Sequence, residues 1–133
     1  MKKLFHLLKE KRGSVLIESW ATIIIILLFT VSFISAYGVI MKKQKLDMVS
    51  NEIRRIVEID GKYGSEQQRQ AEQLLSDNNL DAAVTCSKSG NIALGDTFTI
   101  TLTSNGSIGF GGSNGISIPL SAKSDGRSEV YWK

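Results

Sequence analysis

The chain has one cysteine, one histidine and one proline in 133 residues. A single cysteine, Cys86, excludes an internal disulfide; it reads as a small apolar residue in a strand. The only histidine, His6, belongs to the basic start of the chain. Beyond it there is no imidazole, which excludes Ser-His-Asp and Cys-His nucleophiles and any His-ligated metal. The carboxylates are scattered, and Asp77 and Asp81 suit a helix end better than a ligand pair. The glycine-rich run Gly106 to Gly115 lacks the Gly-Lys-Ser/Thr ending of a phosphate loop and reads as a flexible loop. These absences predict a protein that is not an enzyme, with no cofactor, no metal and no small-molecule substrate. Pro119, lacking an N–H, assigns its own segment to a sheet edge or a bulge.

Charge is missing where it matters most. From Ser19 to Met41 no residue is charged. As a helix these residues reach about 34 Å, enough to cross a hydrocarbon core of about 30 Å once. Ile23 to Phe29 shows no polar face, as a buried helix of a soluble domain would. A secretory signal is a poorer account. The run is too long, and although Ser35-Ala36 offers small residues, Ile34 occupies the position where an Ala-x-Ala-like cleavage site wants another small one. The basic pI belongs to the first thirteen residues, with five Lys/Arg and one Glu, a net of +4; from Ser14 onward eleven Lys/Arg meet twelve Asp/Glu, a net of −1. That distribution gives no reason to expect nucleic-acid binding. Nor does charge orient the helix. Lys2, Lys3, Lys9, Lys11 and Arg12 precede it, and Lys42, Lys43, Lys45, Arg54 and Arg55 follow.

What is present begins with Lys11-Arg12-Gly13-Ser14-Val15-Leu16-Ile17-Glu18. A basic segment stops at a glycine, and a carboxylate stands five residues on, inside apolar sequence. An ionisable side chain there is costly and marks function by default. The stretch resembles the processing site of type IV prepilins, and the short leader and compact size are most similar to TadE-like (tight-adherence) pseudopilins. Leu94 to Thr101, with its Gly95-Asp96, is similar to a strand of TadE-like ectodomains. Ser14 and Ser19 depart from the aromatic residues that related pilins carry at those places. The resemblance implies that a membrane-embedded prepilin peptidase cuts between Gly13 and Ser14. It further implies that Glu18 assists assembly by meeting the N-terminal amine of a neighbouring pilin subunit. The N-terminus would be cytoplasmic and the C-terminal domain extracytoplasmic, in a secretion, adhesion or conjugation apparatus. The alternative is an unprocessed single-pass membrane protein with a small binding domain.

The expected architecture is α+β: a leader over 1–13, a long helix over 14–60 with its membrane span about 19–41, a linker and short helix over 61–79, and an antiparallel β domain over 80–133. Val39, Leu46, Val49, Ile53 and Ile56 form a helical stripe able to pack on the β domain or on a neighbouring helix. Asp60-Gly61 ends that helix, and a kink at Gly38 is plausible. Ser65 with Gln68 suggests a capping box opening a second helix from Glu66 to Asp77, which touches the core through Ala71, Leu74 and Leu75 and ends at Asn78-Asn79. Strands are expected over Leu80–Ser87, Thr97–Thr103, Ser107–Phe110 and Ile116–Ala122. Turns are expected at Ser89-Gly90-Asn91, Asn105-Gly106 and Asp125-Gly126. Tyr131 and Trp132 would cover the sheet or stand exposed.

Overall fold

The computed structural model describes residues 11–108 and 115–131. The leader up to residue 10, His6 within it, most of the Gly111–Gly115 loop, and Trp132 lie outside these residues. The architecture is α+β: a long apolar N-terminal helix followed by small antiparallel sheets.

Helix α1, Lys11–Asp60, passes through Gly13 and Gly38 without interruption. At about 1.5 Å per residue its 50 residues extend about 75 Å. Gly61, at φ +60, closes it, and its N–H donates to the Val57 carbonyl at 2.9 Å. Left-handed backbone costs glycine least, so the expected stop is where the chain stops.

Three strands, β2 (Ala83–Cys86), β4 (Thr97–Ile108) and β5 (Ile116–Arg127), form an antiparallel sheet in the order β2-β4-β5. Pro119 lies in β5, at the sheet edge, as its missing donor requires. Along β4 the alternation expected from sequence holds, with Phe98, Ile100 and Leu102 all buried. From β5, Ala122 joins them. The C-terminal half of α1 lies across this face and contributes Leu46, Val49, Ile53 and Val57, each 1% exposed or less. The stripe packs on the β domain of its own chain. Its last member is Val57, fully buried, and not Ile56, which is half-buried. The sheet meets the helix one position further round than the spacing of isoleucines suggested.

Several expected turns are corrected. Asn105-Gly106 does not turn: β4 continues to Ile108, and Asn105 pairs with Pro119 and Gly106 with Ile118. Asp125-Gly126 is likewise extended, Gly126 pairing with Phe98. Ser107 and Ile108, expected to open a separate returning strand, therefore prolong β4, and the rest of that expected strand, residues 109–110, lies outside the described residues. Both glycines serve close approach. A Cβ on Gly106 would stand 3.1 Å from Leu120 Cδ1 and 3.3 Å from Val39 Cγ1, so the helix passes directly over it. The link at Lys62–Tyr63 (β1) and the turn at Gly90–Asn91 (β3) pair with each other as a two-stranded ribbon.

Helix α2, Ser65–Asp77, begins one residue earlier than expected. Its cap is Gly64, whose N–H donates to Gln67 Oε1 at 3.1 Å, and Gln67 in turn donates from Nε2 to Asp60 Oδ2 at 2.8 Å. Gln67 wins over Gln68 because it faces inward, 2% exposed, where it ties α2 to the end of α1. Ala71 and Leu75 are buried and Leu74 half-buried, so one edge of α2 meets the core.

Candidate functional site

The residues singled out by the sequence all lie on the first two turns of α1. Gly13 is half-buried, and Ser14 and Glu18 are exposed. Among the described residues no hydrogen bond or ion pair reaches the Glu18 carboxylate. Val15, Ser19, Thr22 and Ile23 form a shallow depression around it. The helix continues bare from there. Every residue from Ser14 to Ile34 is exposed, and none of the most apolar 18-residue window is buried. These 21 residues extend about 32 Å, close to the thickness of a bilayer core. Hydroxyls along this run bond within the helix. Ser19, Thr22, Thr30, Ser32 and Ser35 each donate a hydroxyl to the carbonyl four residues back, at 2.7 to 3.1 Å. A hydroxyl bonded this way can face lipid without leaving a donor unpaired. Trp20 and Tyr37 are both exposed and seventeen residues apart, about 26 Å, a separation suited to the two interfacial levels. One long apolar helix of this kind is compatible with a single-pass membrane anchor.

The other half of α1 is clamped to the sheet by polar contacts that the sequence did not disclose. At its far end Glu58 Oε1 accepts from Arg54 Nη1 at 3.3 Å and from the Arg127 N–H at 3.1 Å. The Glu58 carbonyl accepts from the Glu129 N–H at 3.2 Å. Midway, Ser124 Oγ donates to Asn51 Oδ1 at 2.8 Å. At the near end Lys42 Nζ donates to the Asn105 carbonyl at 2.6 Å. Apart from the Arg54–Glu58 pair, which lies one helical turn apart, no local pattern marks these contacts, because each bond between helix and sheet joins positions more than sixty apart in the chain. The clamps fix where the bare half begins.

Among the described residues no three His, Cys, Asp or Glu side chains stand together in a metal-binding group. Cys86 is a free, half-buried thiol on β2; burial pushes its pKa up and keeps it protonated, which makes it a poor nucleophile. Burial also raises the Tyr63 hydroxyl, with Cys86 and Glu72 adding to the effect. Asp77 and Asp81 are exposed and no bond joins them. Tyr131 is exposed and does not cover the sheet.

No curated protein and no solved structure matches the chain. A family model described as a domain of unknown function, DUF4320, matches residues 22–133. The match spans most of the apolar helix and all of the β domain, and it begins just past Gly13, Ser14 and Glu18. On the breadth of that match, the chain belongs to the DUF4320 family.

Proposed function

We propose that the chain is a structural subunit of a tight-adherence or type IV pilus-like apparatus: a minor pilin or pseudopilin, processed by a prepilin peptidase after Gly13. The observation that carries this reading is the division of one unbroken helix. Its C-terminal half is buried under a sheet of the same chain, and its N-terminal half is apolar and exposed from Ser14 to Ile34. Such a subunit rests in the membrane with its β domain extracytoplasmic. It enters a filament or secretion complex by packing the bare half among the helices of other pilin subunits. Glu18 has a defined task there. Cleavage would place it one helical turn inside a new amine at Ser14. In a bundle, leaving a carboxylate unpaired costs several kcal/mol. The amine of a neighbouring subunit neutralises it and couples pairing to assembly. The subunit catalyses nothing; it supplies a membrane-held rod and a displayed domain.

Two measurements test the reading. Intact-mass analysis of protein extracted from native membranes is expected to give a chain beginning at Ser14; a chain retaining residues 1–13 refutes processing. Glu18→Gln is expected to be cleaved and membrane-inserted as the wild type is, yet to lose co-purification with partner pilins. Equal recovery of partners by both proteins removes Glu18 from assembly.

A further inference from the structure

The β4–β5 hairpin points back along α1 towards the apolar half. Gly126, paired with Phe98, lies against Arg54 and Glu58, and Gly106 lies against Val39. From Phe98 to Gly106 the strand advances about 26 Å. From Arg54 or Glu58 to Val39 the helix advances about 22 or 28 Å. Strand and helix therefore run side by side in opposite directions. The last rung among the described residues, Ile108 paired with Ile116, stands two residues past Gly106, about 7 Å further. That brings it level with the turn of α1 around Ser35, inside the uncharged run. Ser35, Gly38 and Val39 share a surface depression with Asn105, Gly106 and Ser107, which agrees with this level.

The hairpin is unusual in charge as well as in position. From Thr97 to Ala122 there is no Asp, Glu, Lys or Arg. The charges nearest this stretch, Asp96 just before β4 and Lys123, Asp125 and Arg127 within β5, occupy the half of the hairpin remote from the apolar half of α1. The near end instead presents Ile116, 74% exposed. An exposed sheet end in water gains solubility from charge, whereas one resting on hydrocarbon loses stability from it. Lys42, the first charge after the apolar run, does not project freely past the hairpin but holds the Asn105 carbonyl.

We propose that the Ile108–Ile116 rung, at the described end of β4 and β5, is a second membrane contact, seated at the boundary between lipid headgroups and acyl chains. The inference rests on the membrane-anchor reading and adds that the β domain is held down on the bilayer at two points, the helix and the hairpin end. It gives the domain one fixed face towards the lipid before any assembly.

The test uses the full chain with Cys86→Ala and one new cysteine at a time, Ile116→Cys, Phe29→Cys or Arg127→Cys, each labelled with an environment-sensitive dye. The proteins are reconstituted at high dilution into phosphatidylcholine–phosphatidylglycerol vesicles with or without spin-labelled lipid. Strong quenching is expected at 29, quenching at 116 several-fold above that at 127, and little at 127. Quenching at 29 with none above the 127 level at 116 overturns the hairpin contact and leaves the anchor standing. A blue-shifted but unquenched dye at 116 overturns it too, since protein and not lipid then covers the site. Absence of quenching at 29 removes the anchor, and the hairpin contact falls with it.

Discussion

Gly126→Ala is expected to loosen the grip of the helix on the sheet. A Cβ at this position would stand 2.6 Å from Phe98 Cζ, 2.8 Å from Arg54 Cγ and 2.9 Å from Glu58 Oε1. Carbon atoms in contact prefer about 3.5–4.0 Å. The Phe98 ring is 1% exposed and has nowhere to retreat. Glu58 Oε1 holds both Arg54 and the Arg127 N–H, so displacing it loosens two hydrogen bonds. Overpacking of this kind costs about 1–3 kcal/mol. Against it stands a gain of about 0.4–1 kcal/mol from restricting the unfolded chain. The clash wins, with a net loss of about 1–2 kcal/mol. For a domain of this size each kcal/mol lowers the Tm by about 4–8 °C. Gly38→Ala is the internal control. Its Cβ meets nothing within 4 Å, and it stands inside α1, where alanine outranks glycine by about 1 kcal/mol. Thermal unfolding of both variants in the same detergent, followed by circular dichroism, should shift Tm in opposite directions. A Gly126→Ala protein that melts at or above the wild-type temperature would refute the close approach between α1 and β5.

Two further predictions follow from the same interface. Ser50 is 1% exposed on the sheet-facing side of α1, and among the described residues its Oγ has no hydrogen-bond partner. Ser50→Ala should therefore raise stability by about 1 kcal/mol, through relief of the desolvated hydroxyl and better helix propensity; a lower denaturation midpoint would show that the hydroxyl has a partner. A fragment of residues 65–133 should not unfold cooperatively, because it lacks Leu46, Val49, Ile53 and Val57, each worth about 1.5–3 kcal/mol of burial. A fragment of residues 42–133 keeps them and should give a sigmoidal urea transition; equal cooperativity in both would show that the sheet and α2 suffice.

Much of the architecture is dictated locally. An uncharged run of 23 residues cannot be accommodated by so small a soluble domain, and its length fits one bilayer crossing. The alternation of Phe98, Ile100 and Leu102 with threonines specifies a half-buried strand whatever surrounds it. Gly61 after a helical stripe and Asn78-Asn79 after a second one are stops written in backbone preference. The positions of Gly13 and Glu18 are equally plain in the sequence.

Tertiary structure decided the rest. Asn105-Gly106 and Asp125-Gly126 carry the chemistry of tight turns, yet both remain extended, because α1 crosses the sheet at each glycine and leaves no room for a Cβ. Turn propensity amounts to a few tenths of a kcal/mol to about one, and burial of a core face outweighs it. The choice of Val57 over Ile56 and of Gln67 over Gln68 has the same origin. Neighbours in sequence compete for one inward direction, and only the angle at which the partner element approaches selects between them. The depth to which the hairpin reaches along the helix could not be read locally at all. It depends on the Lys42–Asn105, Asn51–Ser124 and Glu58–Arg127 contacts, each joining residues far apart in the chain that only the folded chain brings within hydrogen-bonding distance.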